Sequence, residues 1–233
     1  MALTPLKILV LKIIWKNNFN RSVCFVAAPL FRGPYAIIMV GRTAAGKTNL
    51  AKYLADKLNA EHILFAKYKR ITENYIPADS LREDLRDIGY KVGIQKSLEA
   101  LTLGKPVILD ASFHKLKRRI WAYRALSGNC KLMIQIYCQT SDIFETWVRI
   151  NSRKVKDNHA EYHASDFAIF EYINQNFDEP TSQELQAFSG ERIQLVLDTF
   201  SREIVRFPSL SEDANVLPEI HQHIINYFAD SNG

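Results

Sequence analysis

Short apolar segments alternate along the chain with longer segments in which apolar positions recur every three or four residues. The first pattern predicts buried strands at residues 36–40, 62–66, 107–109, 132–138 and 193–197. The second predicts helices at residues 49–59, 78–103, 115–126, 142–153, 166–177 and 218–228, and leaves open a break near residues 89–93. Strands that alternate with helices favour an α/β fold, doubly wound around a parallel five-stranded sheet with helices on both faces.

Residues 1–34 do not follow this alternation, and we interpret them as an extension in front of one domain at 35–233. The extension is apolar and has no acid among its basic residues, which are Lys7, Lys12, Lys16, Arg21 and Arg32. Lys12 interrupts the apolar stretch that a signal peptide needs, and no run of about 18 uncharged apolar residues is present to span a membrane. A dispensable or partner-covered segment is favoured, while contact with a membrane surface and targeting stay open.

Composition narrows the class of protein further. With 47% hydrophobic and 24% charged residues, the chain is neither disordered, nor collagen-like, nor a disulfide scaffold. The net charge of +5 combines a basic front and middle with an acidic tail. Cys24, Cys130 and Cys138 lack metal-ligand spacing, so we expect reduced cysteines and a cytoplasmic protein.

One segment carries a recognisable chemistry, because it matches the pattern G-x-x-x-x-G-K-[ST] between a predicted strand and a predicted helix. The glycines allow successive backbone N–H groups to turn inward around a phosphate, and the helix adds its positive N-terminal end. The lysine is expected to reach the β- and γ-phosphates, and the final hydroxyl to bind Mg²⁺. The absence of an Asn-Lys-x-Asp guanine motif favours ATP. The eight residues are Gly41, Arg42, Thr43, Ala44, Ala45, Gly46, Lys47 and Thr48.

Asp110 directly follows the buried strand 107–109. An acid at the carboxyl end of such a strand points into the crevice where α/β sheets bind ligands, and there it can hold Mg²⁺ through a water. The alternative is an N-cap for a helix that starts near Ser112. We favour the metal site.

Basic residues elsewhere leave two interpretations each. Arg149 and Arg153 lie one helical turn apart, which suits either a phosphate between them or a solvated basic face. A second cluster suits nucleic acid or, as we favour, a cationic face that covers apolar surface. Its members are Lys115, Lys117, Arg118, Arg119 and Arg124, with Trp121 and Tyr123 between them. A third group either extends a nucleic-acid contact surface or binds a small anionic substrate. Its members are Lys67, Lys69 and Arg70.

Together these residues resemble the small P-loop kinases of the polynucleotide-kinase and zeta-toxin type, often labelled AAA-type ATP-binding proteins. Besides the phosphate loop, the resemblance rests on Asp110-Ala111-Ser112-Phe113 with Arg119, Arg149 with Arg153, Ser165-Asp166, and Phe177-Asp178-Glu179-Pro180. It implies γ-phosphoryl transfer from ATP with Mg²⁺ to a hydroxyl, and a small helical lid at about 149–180. It also implies catalytic roles for Lys47, Asp110, Arg149 and Arg153, with Arg70 and Arg119 holding the acceptor.

The sequence departs from this family after the second predicted strand. Members usually carry Ser-Asp-x-x-Arg, whereas this chain reads Ala66-Lys67-Tyr68-Lys69-Arg70. A lysine is no general base unless its pKa is strongly lowered. Either Asp110 substitutes, or the motif is aligned wrongly, or the protein is a nucleotide-dependent binding module or ATPase switch without acceptor chemistry. The acceptor, a small molecule or a nucleic acid, stays undecided.

Overall fold

The computed structural model describes residues 33–68, 83–156, 167–207 and 216–230. The extension up to residue 32 lies outside these residues, as do Cys24, Lys69, Arg70 and the Ser165-Asp166 pair. Among the helices of the described residues, none has both the length and the apolar character needed to cross a membrane.

The described chain contains one sheet of six strands, where the sequence predicts five. They are β1 (Tyr35–Val40), β2 (Glu61–Leu64), β3 (Val107–Asp110), β4 (Leu132–Gln139), β5 (Glu191–Asp198) and β6 (Glu203–Arg206), in the order β2-β3-β1-β4-β5-β6. The first five are parallel, and β6 pairs antiparallel with β5. The missed strand β6 is a short, mostly exposed edge strand, so it lacks the continuous apolar run that marks a buried parallel strand. The second strand was predicted at 62–66, but β2 ends at Leu64 and residues 65–66 are helical.

The predicted helices have counterparts whose ends differ by a few residues. They are α1 (Lys47–Lys57), α2 (Glu83–Thr102), α3 (Leu116–Leu126), α4 (Ile143–Lys156), α5 (Phe167–Gln175) and α6 (Leu217–Asp230), with a 3₁₀ helix at Ser182–Ala187. The break left open in α2 does not occur. A Cβ on Gly93 would lie 2.5 Å from the Phe65 ring, so this glycine admits an aromatic side chain and does not end the helix.

Helices cover both faces of the sheet, as predicted. In β1, Ala36, Ile38 and Val40 pack in a cluster with α2 and α3, while the alternate residues pack in a second cluster with α1 and α6. Strand β1 leads to β2 on one side of the sheet, and its neighbour β4 leads to β5 on the other. Such a reversal opens a crevice at the carboxyl ends of the two strands, where α/β proteins bind ligands.

Candidate functional site

The phosphate loop, residues 41–48, lies at this crevice between the end of β1 and the start of α1. Gly41 has φ of 150°, and a Cβ on it would lie 2.2 Å from the carbonyl oxygen of Cys138 in β4. Its N–H donates to the Ser112 carbonyl at 3.1 Å. Gly46, at the N-cap of α1, is left-handed with φ of 71°. The two glycines of the motif therefore stand where the backbone admits no ordinary side chain without strain.

Lys47 points back into the loop. Its side chain is buried, and Nζ donates a hydrogen bond to the carbonyl oxygen of Arg42. An ammonium beside the loop backbone, at the N-terminus of a helix, is an arrangement that can bind a phosphate.

Thr48 and Asp110 come together at the carboxyl end of β3. Thr48 Oγ1 donates to Asp110 Oδ1 at 3.3 Å, and the carboxylate is buried. Two adjacent oxygen donors are the ligand type that Mg²⁺ prefers, so these residues fit that ion. Asp110 does not cap a helix, because α3 begins only at Leu116, whose N–H donates to Asp178 Oδ2 at 2.8 Å.

His62 is a residue of this site that sequence reasoning missed. Its Nε2 lies 3.0 Å from the second Asp110 oxygen, Oδ2. The contact arises because β2 pairs with β3 in parallel. A histidine in the strand next to an acid-terminated strand is a usable signal only when the strand order is known.

Arg149 of α4 lies near the loop. Nε donates to Glu145 Oε1 at 2.8 Å, and Nη2 donates to the Thr199 carbonyl at 3.3 Å. The Thr199 side chain in turn lies 3.6 Å from where a Cβ on Gly46 would stand. Arg153 belongs to the same helix, but its side chain is outside the described residues.

Helices α4 and α5 also touch the loop directly. Ile150 of α4 and Phe170 of α5 form a small apolar cluster with Ala44, which has a left-handed φ of 61°. Two helices that follow the sheet strand β4 therefore contact the middle of the phosphate loop.

A polar contact joins the loop to the segment after α5. Arg42 Nη2 lies 2.6 Å from Glu179 Oε1, and the Tyr137 hydroxyl donates to Glu179 Oε2. Burial, followed by the hydrogen bond to this carboxylate, raises the pKa of Tyr137. Neither residue was predicted in the site: Glu179 was noted only within the run that supports the family resemblance, and Tyr137 only as part of a buried strand.

Arg119 is not in an open cleft, which corrects its predicted role as an acceptor-holding residue. It is fully buried, and its guanidinium donates to Glu184 Oε1 and Oε2 at 2.7 and 2.8 Å and to the Phe113 carbonyl at 2.8 Å. Tyr123 joins this network, and burial together with the Glu184 charge raises its pKa well above the usual value. The sequence did not reveal Glu184, because it lies 65 residues from Arg119.

The basic cluster on α3, predicted as a cationic face with nucleic-acid contact as the alternative, is divided in the same way. Arg118, Arg119 and Tyr123 are fully buried, so they cannot contact a nucleic-acid strand. Lys117 and Arg124 stay exposed. Lys67 is also exposed, in a helical stretch at residues 65–68, whereas Arg70 lies outside the described residues.

Neither a family model nor a curated protein matches the sequence. Solved structures do resemble the chain. A sugar kinase from Janibacter sp. HTCC2649 is 15% identical with a TM-score of 0.53, and the match covers 84% of this chain and 93% of the kinase chain. Kti12 from Chaetomium thermophilum, in complex with ADP-AlF3, is 14% identical with a TM-score of 0.52, covering 83% and 97%. A structure from Chloroflexus aurantiacus J-10-fl is 20% identical with a TM-score of 0.51, covering 84% and 98%.

At these identities the similarity shows the fold. The chain shares the α/β fold of these structures, one of which is a sugar kinase, and it carries its phosphate loop at the end of β1. The narrower polynucleotide-kinase and zeta-toxin family remains a resemblance in the sequence.

Proposed function

We propose that the protein is an ATP-dependent phosphotransferase that moves the γ-phosphoryl group to a hydroxyl acceptor with the help of Mg²⁺. One observation carries the proposal: Lys47 is buried inside the phosphate loop while Thr48 Oγ1 lies 3.3 Å from the Asp110 carboxylate. A phosphate site and a pair of oxygen ligands thus share one crevice. Kinases transfer phosphoryl groups mainly by positioning and charge neutralisation, which is what these groups supply.

Each group has a role in this proposal. The backbone N–H groups of residues 41–48 and Lys47 bind the phosphates, and Thr48 and Asp110 hold the metal. When bound, Mg²⁺ neutralises charge on the β- and γ-phosphates. Arg149 and Arg153 of α4 are proposed to neutralise the charge that develops during transfer, with α4 and α5 acting as a lid. Contact of both helices with Ala44 supports that role.

Lys67 stands where the related kinases carry an acid, so the proton of the acceptor hydroxyl needs another destination in this proposal. We assign it to the Asp110 carboxylate, and in a loose transition state that proton leaves late in the transfer. We retain Lys67 and Arg70 as proposed acceptor contacts and withdraw Arg119, whose guanidinium is fully engaged in the core. We retain the proposal of a cytoplasmic location, because three cysteines without metal-ligand spacing suit a reducing compartment.

Labelled transfer tests the proposal. The purified chain, with and without residues 1–34, is titrated with ATP and Mg²⁺ and then given γ-labelled ATP with 5′-hydroxyl oligonucleotides, nucleosides and small alcohols. Label on any acceptor supports a kinase and identifies the acceptor class. ATP binding with only slow phosphate release supports the alternative, a nucleotide-dependent binding module or ATPase switch. Failure to bind ATP contradicts both.

A further inference from the structure

The segment Phe177–Pro180, here called the strap, connects α5 to the 3₁₀ helix and has no role in the proposed reaction. Its residues contact α3, β4, β5 and the phosphate loop. Phe177 stacks on Tyr137 of β4, with ring centroids 6.1 Å apart, and the Asp178 carboxylate accepts from the first N–H of α3. Glu179 pairs with Arg42 of the phosphate loop, and the Pro180 carbonyl accepts from Gln194 of β5 at 3.5 Å.

Glu179 uses its two oxygens for two different partners. Oε1 lies 2.6 Å from Arg42 Nη2, and Oε2 accepts from the Tyr137 hydroxyl. The Phe177 ring adds a third contact, because the Arg42 guanidinium carbon lies 4.6 Å from its centroid. The guanidinium is thus held by a carboxylate and by the face of an aromatic ring, a favourable arrangement for a cation.

Hydrogen bonds connect the base of the strap to the core. Gln194 Nε2, which reaches the Pro180 carbonyl, also donates to Gln135 Oε1 at 2.6 Å. Gln135 in turn joins the buried Arg119–Glu184 network in the core. A side chain carried on a fixed backbone can hold its partner at little cost in conformational entropy.

Arg42 matters to the phosphate loop because its carbonyl oxygen accepts the hydrogen bond from Lys47 Nζ. The preceding residue, Gly41, has no side chain to restrain the backbone at this point. We propose that Glu179 is a positioning residue that, through Arg42, holds the phosphate loop in the shape that binds nucleotide. The inference rests on the proposed binding of ATP.

Exposure of the pair separates this role from a merely structural one. The side chains of Arg42 and Glu179 are 36% and 53% exposed. Ion pairs this accessible contribute little to folding stability. Removal of the pair is therefore expected to change nucleotide affinity and to leave the melting temperature almost unchanged.

The experiment is a double-mutant cycle on the full chain, with Kd for Mg·ATP measured by calorimetry. We expect Glu179→Ala and Arg42→Ala each to raise this Kd about fivefold. The Kd of the double variant should be about equal to that of the single variant that binds more weakly. Glu179→Gln and Tyr137→Phe, which keep part of the contact, should fall between Glu179→Ala and the unchanged chain. Glu99→Ala removes an exposed ion pair with Lys96 on α2 and should leave Kd unchanged.

Three outcomes overturn the inference. Unchanged affinity in Glu179→Ala means that the carboxylate does not act on the loop. Tighter binding in that variant means that Arg42 is itself a phosphate ligand, which Glu179 restrains. Losses that simply add in the double variant mean that the two residues act independently. Failure of the unsubstituted chain to bind Mg·ATP contradicts the proposed function instead, so the two failures are distinguishable.

Discussion

The two faces of the sheet are built differently. The face covered by α1 and α6 is a continuous apolar cluster that includes Leu54 and Ile220. The face covered by α2 and α3 also holds buried polar side chains, namely Arg118, Arg119, Tyr123, Gln135, Gln194 and Glu184. These polar groups bond to Phe113 beyond β3 and to Pro180 of the strap, both near the phosphate loop. The comparison suggests that one face mainly supplies stability, while the other also fixes the position of segments around the site.

The largest expected effect is on the face covered by α2 and α3, here called the polar face; the face covered by α1 and α6 is called the apolar face. Glu184→Ala leaves the Arg119 charge buried and unpaired, which should lower the free energy of unfolding by about 3–5 kcal/mol. Replacing both partners, with Arg119→Met and Glu184→Leu, should cost clearly less than the single change, because no buried charge is left without a partner. Denaturant unfolding measures both.

A matched truncation on the apolar face completes this test. Leu54→Ala should lower the free energy of unfolding by about 2–5 kcal/mol, because it removes buried apolar surface and leaves a cavity. A second substitution at a polar site should not restore the lost stability. If Glu184→Ala costs under about 1 kcal/mol, the polar face is not the tightly coupled network that its contacts indicate.

The phosphate loop lies at the end of the sheet, so a change there should affect neither face. Lys47→Ala removes a charged donor, and Mg·ATP affinity should fall roughly tenfold to a hundredfold. The unfolding free energy should change by under about 1 kcal/mol. Calorimetric titration and denaturant unfolding of the same preparation check both parts, and unchanged ATP binding would contradict the assignment of the loop.

Gly93→Ala tests the apolar packing between α2 and Phe65, on the same face of the sheet as the polar network. Alanine favours the helix by about 1 kcal/mol, but its Cβ would lie 2.5 Å from the buried Phe65 ring. That ring packs between Tyr90 and Phe113, with centroids 5.5 and 5.2 Å away, so it has little room to move. We expect a net loss of roughly 0.5–2 kcal/mol, partly restored when Phe65→Leu is added. A gain in thermal stability would contradict this packing.

The smallest expected effect is a pH dependence confined to the polar face. Burial raises the pKa of Asp87, but hydrogen bonds from Lys117 and Arg118 outweigh it and lower the pKa below its usual value. Its stabilising contribution is then complete above the unfolded pKa of about 4 and is lost as the pH falls through the lower folded value. The stability difference between the chain and Asp87→Asn should therefore shrink below about pH 4 in denaturant unfolding. A difference that stays constant down to pH 2 would contradict this ion pair.

Local patterns made much of this molecule predictable. The buried strands β1, β3, β4 and β5 are readable because parallel strands covered on both faces need uninterrupted apolar residues. The edge strand β2 was placed at 62–66 although residues 65–66 are helical, and the exposed edge strand β6 was missed. The phosphate loop is readable because its glycines, lysine and threonine all lie within eight successive residues of the chain. Arg119 was misjudged for the opposite reason, since a basic residue on a helix looks alike in sequence whether it meets solvent or the carboxylate of Glu184.

The sequence by itself determined the alternation of strands and helices, the phosphate loop and the acid at the end of β3. These features depend on residues close together in the chain, where side-chain period and backbone freedom act directly. Only the tertiary structure decided that His62 meets Asp110, that Glu179 holds Arg42, and that Arg118 and Arg119 are core residues. Each of these depends on strand order and on helices packing over the sheet, which bring together residues that are 31 to 137 positions apart.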